Sequence, residues 1–194
     1  MGMASFALGC PTPAGWLAIA LGDLDATMRD HLHCERKAVA SALSLIHQYP
    51  ERTELVRALS RLAHEESRHV MQVATRLRRR GVVLTPDRGD LYAQRLRQRV
   101  RKGEPARQLD LLLCAALIEA RSAERLGLLA GALPEPALAT FYAELAASEE
   151  GHRELFFALA RPLVDEPSLR MRLDEWISTE AAIVRALPVE ARIH

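Results

Sequence analysis

Two copies of one spacing constrain this chain more than any other feature. Glu35 precedes Glu66-Ser67-Arg68-His69 by 31 positions, and Glu119 precedes Glu149-Glu150-Gly151-His152 by 30. Each copy sits in sequence whose apolar residues recur at steps of three and four, the period of a helix with one inward face. All six residues fall within those apolar stripes. A carboxylate on such a face loses its hydration, a cost that something must offset. An arginine or a proton offsets one. Four carboxylates on four separate helices, two of them with His at i+3, point instead to bound cations. Residues three apart on a helix project from neighbouring points of one face, so Glu66 with His69, and Glu149 with His152, can each address one metal ion. Glu35 and Glu119 would bridge the ions or complete their coordination. Single glutamates from two helices and Glu-x-x-His from two others are the ligand set of dinuclear carboxylate sites in four-helix bundles.

Composition agrees with helices. Of 194 residues 49% are hydrophobic but only 5% aromatic, and Leu and Ala dominate. That favours helical packing over a sandwich, where β-branched and aromatic residues prevail. The length suits one domain with a substantial core. No uninterrupted apolar run reaches the roughly 18 residues of a membrane span, and the first residues lack the basic-then-apolar order of a secretory signal. Cys10, Cys34 and Cys114 are too few and too scattered for a disulfide framework or a thiolate metal cluster, which suggests free thiols in a reducing cytoplasm. Oxygen and imidazole donors without thiolate suit iron or manganese.

The chain punctuates itself into helices. A short one is expected after Pro13, with Trp16, Leu17 and Ile19 inward. Four long ones follow, over about 23–48, 51–80, 105–130 and 135–160, with Asp23 or Asp25 capping the first and Gly81 stopping the second. An outer helix is expected over about 168–186, after Pro162 and Pro167. Short links pair the long helices as antiparallel neighbours, while a longer segment, 82–105, with a helix expected from Asp90 to Arg101, joins the pairs. The expected fold is therefore all-α, one domain over 1–194. His31 lies four residues before Glu35 on the same face, where it lines the site, supports a ligand or is simply a satisfied core histidine. Tyr142, two turns before Glu149, is open to the same alternatives. Glu65 and Glu150 are turned about 100 degrees away from the ligand face and read as exposed charges.

A net charge of +1 hides an asymmetry. Between Arg76 and Arg107 stand eleven Lys and Arg against Asp87, Asp90 and Glu104, so the remainder is acidic. Concentrated positive charge either solvates a surface or meets a polyanion such as RNA.

The words around the six residues resemble a known family. His33-Cys34-Glu35-Arg36-Lys37-Ala38, Glu65-Glu66 with His69, Glu104-Pro105-Ala106-Arg107, Ser148-Glu149 with His152, and above all Ile118-Glu119-Ala120-Arg121-Ser122-Ala123-Glu124-Arg125 are similar to the bacterial tRNA hydroxylases that act on 2-methylthio-isopentenyl-adenosine. The second motif departs from the family, which pairs two histidines where Arg68 precedes His69 here. The resemblance spans about residues 16–185 of the sequence. It implies a ferritin-like four-helix bundle with a long crossover and additional terminal helices. It also implies a di-iron centre on Glu35, Glu66, His69, Glu119, Glu149 and His152, with dioxygen as cosubstrate. The implied reaction hydroxylates the isopentenyl side chain beside the anticodon, with an external electron donor or reductase, in the cytoplasm and away from membranes. The basic segment then gains a partner in the anticodon arm, with Arg76, Arg79, Arg80, Arg97, Arg101 and Lys102 as candidate contacts. Another ferritin-like di-metal oxidase, a manganese catalase, or a non-enzymatic iron-binding bundle remain as alternatives.

Overall fold

A computed structural model describes residues 6–194 and contains seven α-helices and one 3-10 turn, with no strand among the described residues. In chain order the helices are α1 (Trp16–Gly22), α2 (Leu24–Gln48), α3 (Thr53–Arg79), α4 (Leu91–Arg97), α5 (Ala106–Ala132), α6 (Pro136–Ala160) and α7 (Glu166–Ala186). Two compact units emerge. One comprises Leu17–Gly89 and Glu190–Ile193; the other comprises the segment up to Trp16, Asp90–Val189 and His194.

The first unit is built on the hairpin of α2 and α3, joined by Tyr49–Arg52 and packed along their length. Asp23 caps α2, its carboxylate accepting from the Ala26 N–H at 3.0 Å, a contact worth about 1 kcal/mol. Leu55, Leu59, Leu62, Ala63, Val73 and Leu77 form the buried stripe of α3, with Glu66 and His69 inside it. Helix α3 ends where Gly81 takes φ +73, a conformation that penalises any side chain. The Val82 N–H then reaches back to the Leu77 carbonyl at 3.0 Å, and the Gly81 N–H to Arg78 at 3.0 Å, satisfying the last carbonyls. The chain's final residues dock on the same unit. Asp30 of α2, buried, accepts from the Arg192 guanidinium at 2.9 Å and the Ile193 N–H at 2.7 Å.

The second unit is built on the hairpin of α5 and α6, joined by Leu133–Glu135, with α4 and α7 against α5. Two buried ion-pair networks fasten it. Asp110 of α5 is fully buried and accepts from Arg101, from Arg172 of α7 and from the Trp176 indole N–H at 3.3 Å. Arg121 of α5, also fully buried, donates to Glu180 of α7 at 2.9 and 3.0 Å and to the Cys10 carbonyl at 3.0 Å. Tyr92 of α4 adds a hydrogen bond to Glu180 at 3.1 Å. Gly9 is required where this N-terminal segment crosses α7, because a Cβ there would lie 2.9 Å from the Ile177 backbone oxygen.

Several details differ from the sequence expectation. Ile19 points outward at 42% exposure, while Trp16 and Ala20 are the buried residues of α1. Helix α7 begins at Glu166, two residues earlier than the prolines suggest, because Pro167 fits the first turn and Asp165 caps it through the Ser168 N–H. Gly131 stays inside α5, and the helix stops at Ala132 ahead of Pro134. Helix α4 is shorter than the 90–101 span expected of it, with Asp90 as its cap.

Candidate metal centre

In the first unit, α2 supplies Glu35 and α3 supplies Glu66 and His69, and all three are buried. The i, i+3 spacing sets Glu66 Oε2 3.3 Å from His69 Nδ1. Across the hairpin, Glu35 Oε2 lies 3.5 Å from the same nitrogen. One ligand atom from each of the three falls within 4.8 Å of the others. Burial by itself lowers the proton affinity of His69, but hydrogen bonds and attraction from Glu35 and Glu66 outweigh it and push its pKa up to about 9. A proton on His69 thus partly compensates two buried carboxylates. A divalent cation would do so more completely, releasing that proton as it binds.

The second unit repeats the arrangement. Helix α5 supplies Glu119, and α6 supplies Glu149 and His152, all buried. Glu149 Oε2 is 3.6 Å from His152 Nδ1, and one ligand atom of each residue lies within 4.8 Å of the other two. Each unit therefore brings together its own three of the six expected residues.

The donor chemistry fits transition metal ions. Two carboxylates and one imidazole per unit offer hard oxygen and borderline nitrogen, the combination suited to iron or manganese. Thiolate is absent from both triads. Burial holds Cys114 as a neutral thiol, its pKa pushed up to about 12, and Cys10 and Cys34 are buried free thiols. Two such triads suit a di-metal site.

His31, left open by the sequence, supports a member of the set. It is buried, and its Nε2 sits 2.6 Å from Glu35 Oε1. The i, i+4 spacing was the legible signal. Tyr142 is buried among the α6 core residues, and Glu150 is exposed and paired with Arg153.

The basic residues divide into two groups. Arg101 donates to Asp110 through its backbone N–H and its guanidinium, and Arg80 pairs with Asp25 at 2.7 Å. Arg76 donates to the Gln72 carbonyl of its own helix at 3.2 Å. Arg79, Arg97 and Lys102 are exposed and carry no ion pair among the described residues. The internal ties of Arg101 and Arg80 were invisible in the sequence, since each partner lies elsewhere along the chain. Among the described residues, no helix is long and apolar enough to cross a membrane.

Comparison with known proteins gives concordant results. The family model described as tRNA-(MS[2]IO[6]A)-hydroxylase (MiaE) matches residues 3–194. A Pseudomonas putida protein named tRNA 2-(methylsulfanyl)-N(6)-isopentenyladenosine(37) hydroxylase is 40% identical, covering 96% of this chain and 91% of its own length. A Salmonella typhimurium protein of the same name is 28% identical, covering 96% of this chain and 87% of its own. A solved structure titled Protein 43 with aldehyde deformylating oxygenase activity, from Synechococcus, aligns with a TM-score of 0.92 at 36% identity, over 98% of this chain and 96% of that one. The fold is accordingly all-α and ferritin-like.

Proposed function

The chain belongs to the MiaE family of tRNA hydroxylases, and from that premise we propose that it hydroxylates the isopentenyl side chain of 2-methylthio-isopentenyl-adenosine next to the anticodon. In this reading the two units form one domain, and Glu35, Glu66, His69, Glu119, Glu149 and His152 together hold two iron ions. The observation that carries it is the repeated, fully internal Glu, Glu and His triad, one per unit. Neither triad has a surface to serve, and the buried carboxylates of each have a cation as their simplest complement.

Bound iron would supply the activation of dioxygen for insertion into a C–H bond. The overall balance consumes one dioxygen, two electrons and two protons, and yields the alcohol and one water. The electrons come from an external donor. The chain's own residues supply the rest. The carboxylates would fix charge and geometry, and His69 would release its proton on binding a cation. Around them, buried Leu59, Leu62 and Val73 on α3, and Leu112, Ala116, Leu145 and Phe156 on α5 and α6, exclude bulk water. The base is presented from the single-stranded anticodon loop, where it can leave its stack without breaking a duplex. Arg79, Arg97 and Lys102 are the favoured phosphate contacts, because they are exposed and in no ion pair among the described residues. Arg76, Arg80 and Arg101 contribute more weakly, since each already donates within the protein. In this reading the enzyme works in the cytoplasm, where its tRNA substrate is.

A second reading has one observation in its favour. The Synechococcus structure is titled for aldehyde deformylating activity, at an identity close to that of the Pseudomonas relative. A neutral aliphatic aldehyde has no use for the basic segment, which favours tRNA. Metal analysis and a variant test the primary reading. Iron-reconstituted protein should hold two irons per chain. Glu119→Ala should lose iron and hydroxylation while staying helical by circular dichroism. Unchanged hydroxylation in Glu119→Ala would remove that residue from the site.

A further inference from the structure

Glu35 is held by a residue outside the triads. His31, one turn earlier on α2 and 1% exposed, brings Nε2 to 2.6 Å from Glu35 Oε1. An ionised carboxylate can only accept, so Nε2 carries the proton and donates. The other oxygen, Oε2, is the one that faces His69 Nδ1 at 3.5 Å. The two oxygens of Glu35 are thus divided, one engaged by His31 and one turned toward the triad. A short N–H to carboxylate bond is strong when the acceptor is charged and both groups are dry. It restricts rotation of the carboxylate that a long side chain would otherwise retain.

We propose that His31 is a positioning residue for the metal centre. It fixes Glu35 through Oε1 so that this carboxylate would offer Oε2 to an ion held beside His69. The proposal rests on reading the triads as metal ligands. Hydrogen-bonded partners of ligating side chains commonly contribute 10- to 100-fold to metal affinity, and orienting a ligand in advance lowers the cost of ordering it on binding.

The test is anaerobic titration of metal-free protein with Fe(II) against a chromophoric chelator, with circular dichroism as a check of the fold. His31→Met, which keeps bulk and loses the donor, should weaken Fe(II) binding at one of the two sites about 10- to 100-fold relative to wild-type protein. His31→Gln keeps an N–H donor and should recover most of the loss. In a Glu35→Ala background, His31→Met should have no further effect, because the residue through which it acts is gone. Wild-type affinity in His31→Met overturns the proposal, as does an equal loss in the Met and Gln variants or an undiminished effect without Glu35. A wild-type protein that binds no iron at all refutes the reading of the triads instead, a result distinct from two irons bound equally well with and without His31.

Discussion

Replacing Asp110 with Asn tests whether the α5–α7 junction of the second unit is held by charge. The Asp110 side chain is 0% exposed and is met by Arg101, Arg172 and Trp176. Burial raises its pKa, but the two guanidinium groups outweigh burial and bring it down from 3.8 to about 2. At about 1.4 kcal/mol per tenfold change in proton affinity, that difference corresponds to roughly 2.5 kcal/mol of stability. The sign follows from the depressed value. The contribution is fully present above the unfolded carboxylate's pKa of 3.8 and is lost as pH falls through about 2. Arg101 is 45% exposed on its side chain, so water screens its share, while Arg172 at 19% keeps more of its own. The amide introduced by Asp110→Asn would also turn an N–H toward the same donors. Urea unfolding of metal-free protein, followed by circular dichroism, should therefore show Asp110→Asn less stable by about 2–3 kcal/mol at pH 7. The gap should hold down to about pH 4 and narrow below it as the wild-type carboxylate takes up a proton. A variant within about 0.5 kcal/mol of wild type at pH 7, or a gap that widens in acid, would refute the reasoning.

Three further outcomes follow from the same geometry. Glu180→Ala leaves Arg121 buried without its main counter-charge and should cost about 3–5 kcal/mol in thermal or urea unfolding; a loss under about 1 kcal/mol would mean that Glu124 compensates. Gly9→Ala forces a methyl group against Ile177 and should lower stability by about 1–3 kcal/mol, with iron content per folded chain unchanged. Neutralising Arg79, Arg97 and Lys102 together should flatten the dependence of log affinity for an anticodon stem-loop on log salt by about 2, at about 0.7 per single-strand phosphate contact, while iron binding is retained. An unchanged slope would take these residues out of the interface.

Local regularities were legible in the sequence, and distant pairings were not. The long helices could be read because a stripe such as Leu55, Leu59, Leu62, Val73 and Leu77 repeats with the helical period over many turns. The six ligand candidates stood out because acidic residues interrupted such stripes twice at matching intervals. His31 was visible as an i, i+4 neighbour of Glu35, though its hydrogen bond was not. Arg101 looked like a free surface cation until Asp110 was seen to accept from it. Arg121 with Glu180, Arg172 with Asp110, and Arg192 with Asp30 are separated by 59, 62 and 162 positions. Periodicity cannot pair residues so far apart. Ile19 shows the limit for short helices, since two turns leave the inward face undetermined.

The central claim meets its most direct test in the nucleosides themselves. Iron-loaded, chemically reduced protein is incubated with tRNA bearing 2-methylthio-isopentenyl-adenosine under heavy-isotope dioxygen, and the digested nucleosides are analysed by mass spectrometry. The prediction is one added oxygen, carrying the heavy isotope, on the isopentenyl group. An unmodified nucleoside from protein that has bound its iron, or an added oxygen drawn from water, would contradict it.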